Sequence, residues 1–166
     1  MAPSVAPVPM TLPLSVIGPV DLGRIIREVE TIDNEQLQTA IRKEADAKIA
    51  KTSKLLDDLL QDNHLDLTNK DQRAQLKQFL KVVNDQAPTL HISFSADPSP
   101  LFLEKLITWL RTEIHPVVLL TVGLQPSIGA GCLVRTTNKY FDFTLRENFS
   151  KKGDILMAKL REVVTA

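Results

Sequence analysis

The chain has 166 residues, of which 43% are hydrophobic and 24% are charged, values typical of a protein with an apolar core. Twenty lysines and arginines balance twenty aspartates and glutamates, so the composition argues against nucleic-acid binding. The single cysteine, Cys132, excludes an internal disulfide and a cysteine-rich zinc site. The longest apolar run, Val117 to Val122, is far shorter than the roughly 20 residues that span a bilayer, so we expect no direct membrane insertion.

Residues 1 to 20 contain a proline every few positions and are predicted to be a disordered leader. The opening MAPSVAPVPMTLPL has no basic segment before its apolar residues, so it does not resemble a secretory signal. Any work at a membrane would then depend on binding to partners.

Residues 21 to 88 are predicted to form a helical N-terminal domain. Its first amphipathic segment, between Asp21 and Lys43, is one long helix or two, because Asp33 with Gln36 could cap a restart. The apolar residues of this segment follow the spacing of one helical face: Leu22, Ile25, Ile26, Val29 and Ile32.

Two further helices are predicted in this domain. Thr68 with Asp71 indicates a capping box at the start of the last one. That helix is predicted to stop at Ala87, because a residue before proline is pushed out of the α region. We expect the middle helix to end at Asn63 and to carry its apolar face on four leucines: Leu55, Leu56, Leu59 and Leu60.

Residues 89 to 166 are predicted to form a small α/β domain. LHISF, residues 90 to 94, is a strand, and a helix runs from Pro100 to Ile114. PVVLLTV, residues 116 to 122, lacks polar alternation, which indicates a central strand covered on both faces. Strand, helix and strand in this order predict a right-handed parallel crossover.

The end of this domain is predicted to be a hairpin and a closing helix. CLVRT and KYFDFT are its two strands, joined by a tip at Thr137 and Asn138. The closing helix follows Thr144 and has a break at Gly153. The predicted fold is therefore an α+β chain, with an N-terminal helical unit followed by a β-α-β-β-α mixed-sheet domain.

Cys132 is the candidate thiol nucleophile, with His91 or His115 as the base that could pair with it. No cationic neighbour in the sequence lowers its pKa, so a small buried apolar residue is the favoured interpretation. The three histidines are too far apart in sequence to indicate a local metal site.

The glycines of SIGAG, residues 127 to 131, invite comparison with a phosphate-binding loop. No Lys-Ser or Lys-Thr pair follows them, and the next predicted element is a strand rather than a helix. Glycines that allow a close backbone approach or a bend explain the pattern better. We therefore predict no catalytic residue, no cofactor site and no metal site.

Two features indicate adhesion rather than chemistry. Trp109 lies beside the apolar stripe of its helix, near Phe102, and either completes the core, which is favoured, or belongs to an interface. The amphipathic N-terminal helices either pack only on themselves or offer a groove to a partner helix. The residues by themselves therefore favour a non-enzymatic module.

Residues 117 to 146, VVLLTVGLQPSIGAGCLVRTTNKYFDFTLR, are similar to the C-terminal signature of the delta subunit of bacterial F-type ATP synthases, called OSCP in mitochondria. The chain differs at Gln125, Ala130 and Phe143, where the family has Asp, Gly and Gly. Its N-terminal half is also shorter than the family's helical bundle and carries no recognised motif. The matching positions are Pro126, Ser127, Ile128, Gly129, Gly131, Val134, Arg135, Lys139, Asp142, Thr144 and Arg146.

The resemblance implies a stator subunit that joins the catalytic alpha/beta head to the b-subunit helices of the peripheral stalk. It implies a peripheral location on the cytoplasmic side of a bacterial cell membrane, with a cytoplasmic location as the alternative. Arg135 and Arg146 would pair with Asp142 or with acidic groups of a partner. The alternative functions are a regulatory or adaptor module that binds a protein or small ligand, and a cysteine hydrolase.

Overall fold

A computed structural model describes residues 10–42 and 51–164. The chain is mixed α+β, with helices and a four-stranded mixed sheet, which confirms the predicted class. Residues 1 to 9 of the predicted leader lie outside the described residues. In chain order the elements are α1 (Pro19–Arg42), α2 (Lys54–Asn63), α3 (Lys70–Gln86), β1 (Thr89–Phe94), α4 (Pro100–Glu113), β2 (Leu119–Leu124), β3 (Cys132–Arg135), β4 (Tyr140–Asp142) and α5 (Leu145–Val164).

The chain divides into two compact units. The helical unit comprises Met1–Pro88 and Glu104–Leu119, and the sheet unit comprises Thr89–Leu103 and Leu120–Ala166. The division thus places residues 104 to 119, which the sequence assigned to the α/β domain, with the helices. Their side chains explain this placement, because Leu119 belongs to the apolar core of the helical unit.

The core of the helical unit lies between α1, α2 and α3. It is built from the apolar stripes of the three helices, including Leu22, Ile25, Leu56, Leu59 and Leu76, each at most 1% exposed. Helix α1 is continuous over its 24 residues, so the two-helix alternative is wrong. Asp33, considered as the cap of a restart, instead binds α3: it accepts hydrogen bonds from Arg73 Nε at 3.2 Å and Lys77 Nζ at 2.7 Å.

The caps of α2 and α3 agree with the sequence to within one residue. Helix α2 ends at Asn63 as predicted, and His64 follows in the left-handed conformation with φ 52°. The cap of α3 is Asn69 rather than Thr68, because Asn69 Oδ1 accepts a hydrogen bond from the Asp71 N–H at 2.9 Å. The Thr68 N–H donates to Asp66 Oδ1, which holds Thr68 in a turn before the helix.

Residues 10 to 18 are ordered, which differs from the disordered leader expected over residues 1 to 20. Leu12 and Val16 are buried in the core of the helical unit. The Arg111 guanidinium donates to the carbonyl oxygens of Leu12 at 3.0 Å, Pro13 at 2.8 Å and Val16. Burial of Leu12 and Val16, together with the hydrogen bonds from Arg111, fixes this non-helical segment.

The strand order in the sheet is β2-β1-β3-β4, and β3 is antiparallel to both of its neighbours. Strand β2 runs parallel to β1, since Leu119 N–H donates to Pro88 O and Gln125 N–H donates to Phe94 O. The prediction that this apolar run is a central strand is wrong, because β2 forms an edge of the sheet. Only its first residues, Leu119 and Leu120, are buried, and Leu124 is 61% exposed.

Alternation along the strands gives the sheet an apolar face and a polar face. The apolar face carries the buried side chains of Leu90 and Ile92. Val134 and Phe141 lie on the same face, because Ile92 pairs with Val134 and Val134 pairs with Phe141. The polar face carries His91, Ser93 and Arg135. Gly123 also lies on the polar face, because a Cβ added there would come 3.0 Å from His91 Nε2.

We predict that Asp33→Asn destabilises the protein by about 1 kcal/mol at pH 7. The hydrogen bond from Lys77, with that from Arg73, holds the pKa of Asp33 below its usual range. The stability contributed by the carboxylate is therefore complete above its ordinary pKa of 3.8 and is lost as the pH falls through the lowered folded value. Urea unfolding of wild type and variant at several pH values measures this difference.

The matched control is Asp62→Asn on the exposed surface of α2, which should change stability by less than about 0.5 kcal/mol. A difference between wild type and Asp33→Asn that is as large at pH 2 as at pH 7 would contradict the ion-pair account.

Candidate interaction surfaces

The glycine-rich segment after β2 is a tight turn that passes under the start of α5. Pro126–Ile128 form one 3-10 turn, and Gly129 follows with φ 75°. Gly131 has φ 97°, and a Cβ added to it would lie 2.8 Å from the Cα of Thr144 and closer still to the carbonyl oxygen of Phe143. This is a close backbone approach, one of the two explanations that the sequence offers for these glycines. Strand β3 follows, so the segment lacks the helix N-terminus that a phosphate loop uses.

Backbone hydrogen bonds join this segment to the junction between β4 and α5. Phe143 N–H donates to Cys132 O, and Leu145 N–H donates to Ala130 O, both at 3.0 Å. Thr144 is buried between these bonds, and its hydroxyl accepts from the Glu147 N–H at 3.3 Å as a helix cap. Asp142 Oδ1 accepts from the Thr144 N–H at 2.8 Å. Asp142 and Thr144 thus shape the entry to α5.

Of the remaining motif residues, Ile128 is buried and Val134 is half-buried, whereas the others are exposed. Pro126 and Ser127 lie on the surface, where the Ser127 hydroxyl accepts a 3.4 Å hydrogen bond from Gln125 Nε2. Arg135 lies opposite His91 on β1 and Tyr140 on β4. Arg146 lies in the first turn of α5. The pairing of the two arginines with Asp142 or with acidic groups of a partner stays a prediction.

Cys132 does not have the surroundings of an activated thiol. It is half-buried, and burial raises the pKa of the thiol. Its cross-strand partner is Phe94, whereas His91 faces Arg135 at the far end of β3. His115 Nδ1 accepts from the Val117 N–H within the helical unit. A small packed side chain therefore fits Cys132 better than a nucleophile does.

Trp109 is 56% exposed on α4, so the expectation that it completes the core is wrong. The buried side of α4 carries Ile107 and Leu110, and a residue two positions from Ile107 points to the opposite side of a helix. Phe102, on the first turn of α4, is 47% exposed and makes an edge-to-face contact with Phe94 at 5.8 Å. Both aromatic residues remain candidates for an interface.

A groove of about 700 Å³ runs between α1 and α3 in the helical unit. Its apolar part is formed by Ile26 and Val29 of α1 with Ala74 and Leu80 of α3. Charges of both signs border it: Glu30, Asp33 and Asp85 are acidic, and Lys70, Lys77 and Lys81 are basic. An apolar floor with a charged border matches the two faces of an amphipathic helix.

The sheet unit exposes a second apolar surface along β4 and α5. Phe141 and Phe143 stack at 6.2 Å between ring centroids and are 42% and 55% exposed. Leu145 and Phe149, one helical turn apart on α5, are about as exposed. Helix α5 then departs from helical geometry at Lys152, one residue before the predicted break at Gly153. The structure shows direct contact within this surface between Phe141 and Phe143, and contiguous exposed apolar patches are frequent binding surfaces.

Within the described ranges, no group of three or more histidine, cysteine, aspartate or glutamate side chains could hold a metal ion. None of the described helices combines the length and apolar character that a membrane span requires. The chain matches no known protein-family profile, and comparison with curated proteins finds no significant relative.

We predict that Gly131→Ala destabilises the protein by about 3 kcal/mol. The added Cβ strains a positive φ and collides with the backbone of Phe143 and Thr144, which is not free to move. Thermal and urea unfolding measure the loss.

The matched control is Gly23→Ala in α1, where a Cβ meets nothing within 4 Å. This change should stabilise the protein by up to about 1 kcal/mol, because alanine favours a helix over glycine. Equal effects of the two substitutions would contradict the close approach at Gly131.

We predict that Cys132 reacts with iodoacetamide more slowly than a free cysteine peptide at pH 8, because burial raises the pKa of its thiol above 9.0 and so reduces the thiolate fraction. The pH dependence of alkylation, followed by mass spectrometry, measures both properties. A midpoint below that of the peptide would revive the hydrolase hypothesis.

Proposed function

We propose that this protein is a stator subunit of an F-type ATP synthase, of the delta or OSCP type. The observation that carries the proposal is the structural use of the motif shared with that family. Gly131, Asp142 and Thr144 fit together in one turn, hairpin and helix cap. Residues with such roles preserve a shape, as expected of a subunit whose task is mechanical. On this proposal the chain is an N-terminal helical unit followed by a β-α-β-β-α domain.

The groove between α1 and α3 is the proposed grip on the catalytic head. Its apolar floor would receive one face of a helix from the head, and its lysines and carboxylates would orient that helix. The floor belongs to helices that are anchored in the core by Leu22, Ile25 and Leu76. Such anchoring would limit movement of the groove under load.

The apolar surface along β4 and α5 is the proposed contact with the b-subunit helices of the stalk. Phe141 and Phe143 present flat aromatic faces, and Leu145 and Phe149 extend the surface along α5. Burial of these side chains by a stalk helix would supply affinity without any titrating group. A chain with two binding surfaces could join the head to the stalk. On this proposal the partners hold the protein at the cytoplasmic side of a bacterial membrane.

We predict that Ala74→Arg abolishes binding to the head while leaving the fold intact. Ala74 is an exposed residue in the groove, so a long charged side chain would obstruct a docked helix without disturbing the core. Reconstitution with ATP synthase depleted of this subunit should give ATP hydrolysis without ATP-driven proton pumping.

Gln75→Arg is the matched control, because Gln75 is exposed on the same helix and does not line the groove. It should restore pumping as the wild type does. Normal pumping with Ala74→Arg would exclude the groove as the grip, and pumping that needs no added subunit would exclude the stator function.

The second candidate, a regulatory or adaptor module, is favoured by the exposure of Trp109. An exposed tryptophan is a frequent anchor in protein interfaces. Under this alternative, Trp109 fluorescence would respond to a partner or metabolite unrelated to ATP synthase.

A further inference from the structure

A shallow cavity of about 360 Å³ lies in the sheet unit, where β1 begins and β3 ends. The described residues that line it are Thr89, His91, Arg135, Thr136 and Thr137. They provide three hydroxyl groups, one imidazole and one guanidinium, and no carboxylate. The Thr136 hydroxyl already donates to Lys139 O at 3.2 Å, and His91 Nε2 lies 3.3 Å from Ser93 Oγ. The donors offered to a ligand are therefore the guanidinium of Arg135 and the hydroxyls of Thr89 and Thr137.

The sheet register assembles this cavity. His91 on β1 and Arg135 on β3 are directly opposite, so their side chains project from the same face. Thr89 precedes His91 by two positions and shares that face. At the hairpin tip, Thr136 N–H donates to Lys139 O at 2.8 Å, and Lys139 N–H donates to Thr136 Oγ1 at 2.9 Å. These bonds hold the tip next to Arg135.

The guanidinium groups of Arg135 and Arg73 differ in burial and in their neighbours. Arg73 is buried and paired with Asp33, whereas Arg135 is exposed beside hydroxyl and imidazole groups. Arg24 and Lys77 are, like Arg73, paired with aspartates, Arg24 with Asp21 and Lys77 with Asp33. The guanidinium of Arg135, exposed beside the hydroxyls of the cavity, is placed to meet an anion from outside the chain.

We propose that this cavity binds a phosphoryl group. A guanidinium matches two phosphate oxygens at once, and the hydroxyls of Thr89 and Thr137 can supply further donors to the remaining oxygens. The polar, cationic lining suits such a group better than an apolar ligand. The group is supplied by a free phosphate or by the headgroup of an anionic lipid, which present the same oxygens. This proposal does not depend on the stator function.

Nuclear magnetic resonance titration tests the site with two probes at constant ionic strength. One is sodium phosphate, with sodium chloride as reference. The other is phosphatidylcholine vesicles with and without phosphatidic acid. We expect saturable changes confined to residues 89 to 91 and 135 to 137. A response to sodium phosphate identifies the free ion as a ligand, and a response only to the acidic vesicles identifies the lipid headgroup.

Arg135→Gln should weaken the binding about tenfold, because it removes the charged bidentate donor. Arg135→Lys keeps the positive charge but not the bidentate geometry, so its affinity should lie between those of the wild type and Arg135→Gln. Thr137→Val is a second, independent variant, since Thr137 is exposed at the hairpin tip, and it should also weaken binding. The control Arg24→Gln removes an exposed arginine that does not line the cavity and should bind as the wild type does. Absence of saturable binding in both arms, or equal affinity of Arg135→Gln and Arg24→Gln, would overturn the proposal.

Discussion

The backbone of Gly131 lies against the backbone of Phe143 and Thr144, and this close approach determines how the end of the chain folds. It lets Ala130 and Cys132 accept hydrogen bonds from Leu145 and Phe143 on either side of Thr144. Thr144 is thereby buried at the point where β4 ends and α5 begins. Any side chain at position 131 would push α5 away from β3. The placement of the closing helix beside the hairpin therefore depends on a residue without a Cβ atom at this position.

In this arrangement backbone contacts shape the segment that resembles the delta subunit. Its motif positions serve as a turn, a close contact and a helix cap, and partial burial raises the pKa of the Cys132 thiol. The groove lies between α1 and α3, which are anchored in the core of the helical unit, and the apolar side chains of β4 and α5 are exposed to contact with a partner. Adhesion through these surfaces is consistent with the proposed stator function.

The sequence predicted the helices and strands well because each depends on local signals. The leucines of α2, the proline after Ala87 and the caps near Asn69 and Thr144 act over one or two turns. The wrong predictions concern features that depend on contacts between residues far apart in the sequence. The edge position of β2 follows from the pairing of β1 with β3, and the order of residues 10 to 18 follows from Arg111, about a hundred positions away. The exposure of Trp109 and the two cavities likewise depend on packing that periodicity does not encode.

Purification of the intact assembly tests the central claim most directly. The chain would carry an affinity tag at its chromosomal locus, and the subunits isolated with it under gentle detergent would be identified and quantified by mass spectrometry. The stator account predicts that the alpha, beta and b subunits of ATP synthase are recovered in fixed ratio with the tagged chain. Recovery of the chain with other proteins, while the ATP synthase from the same cells is complete without it, would contradict the account.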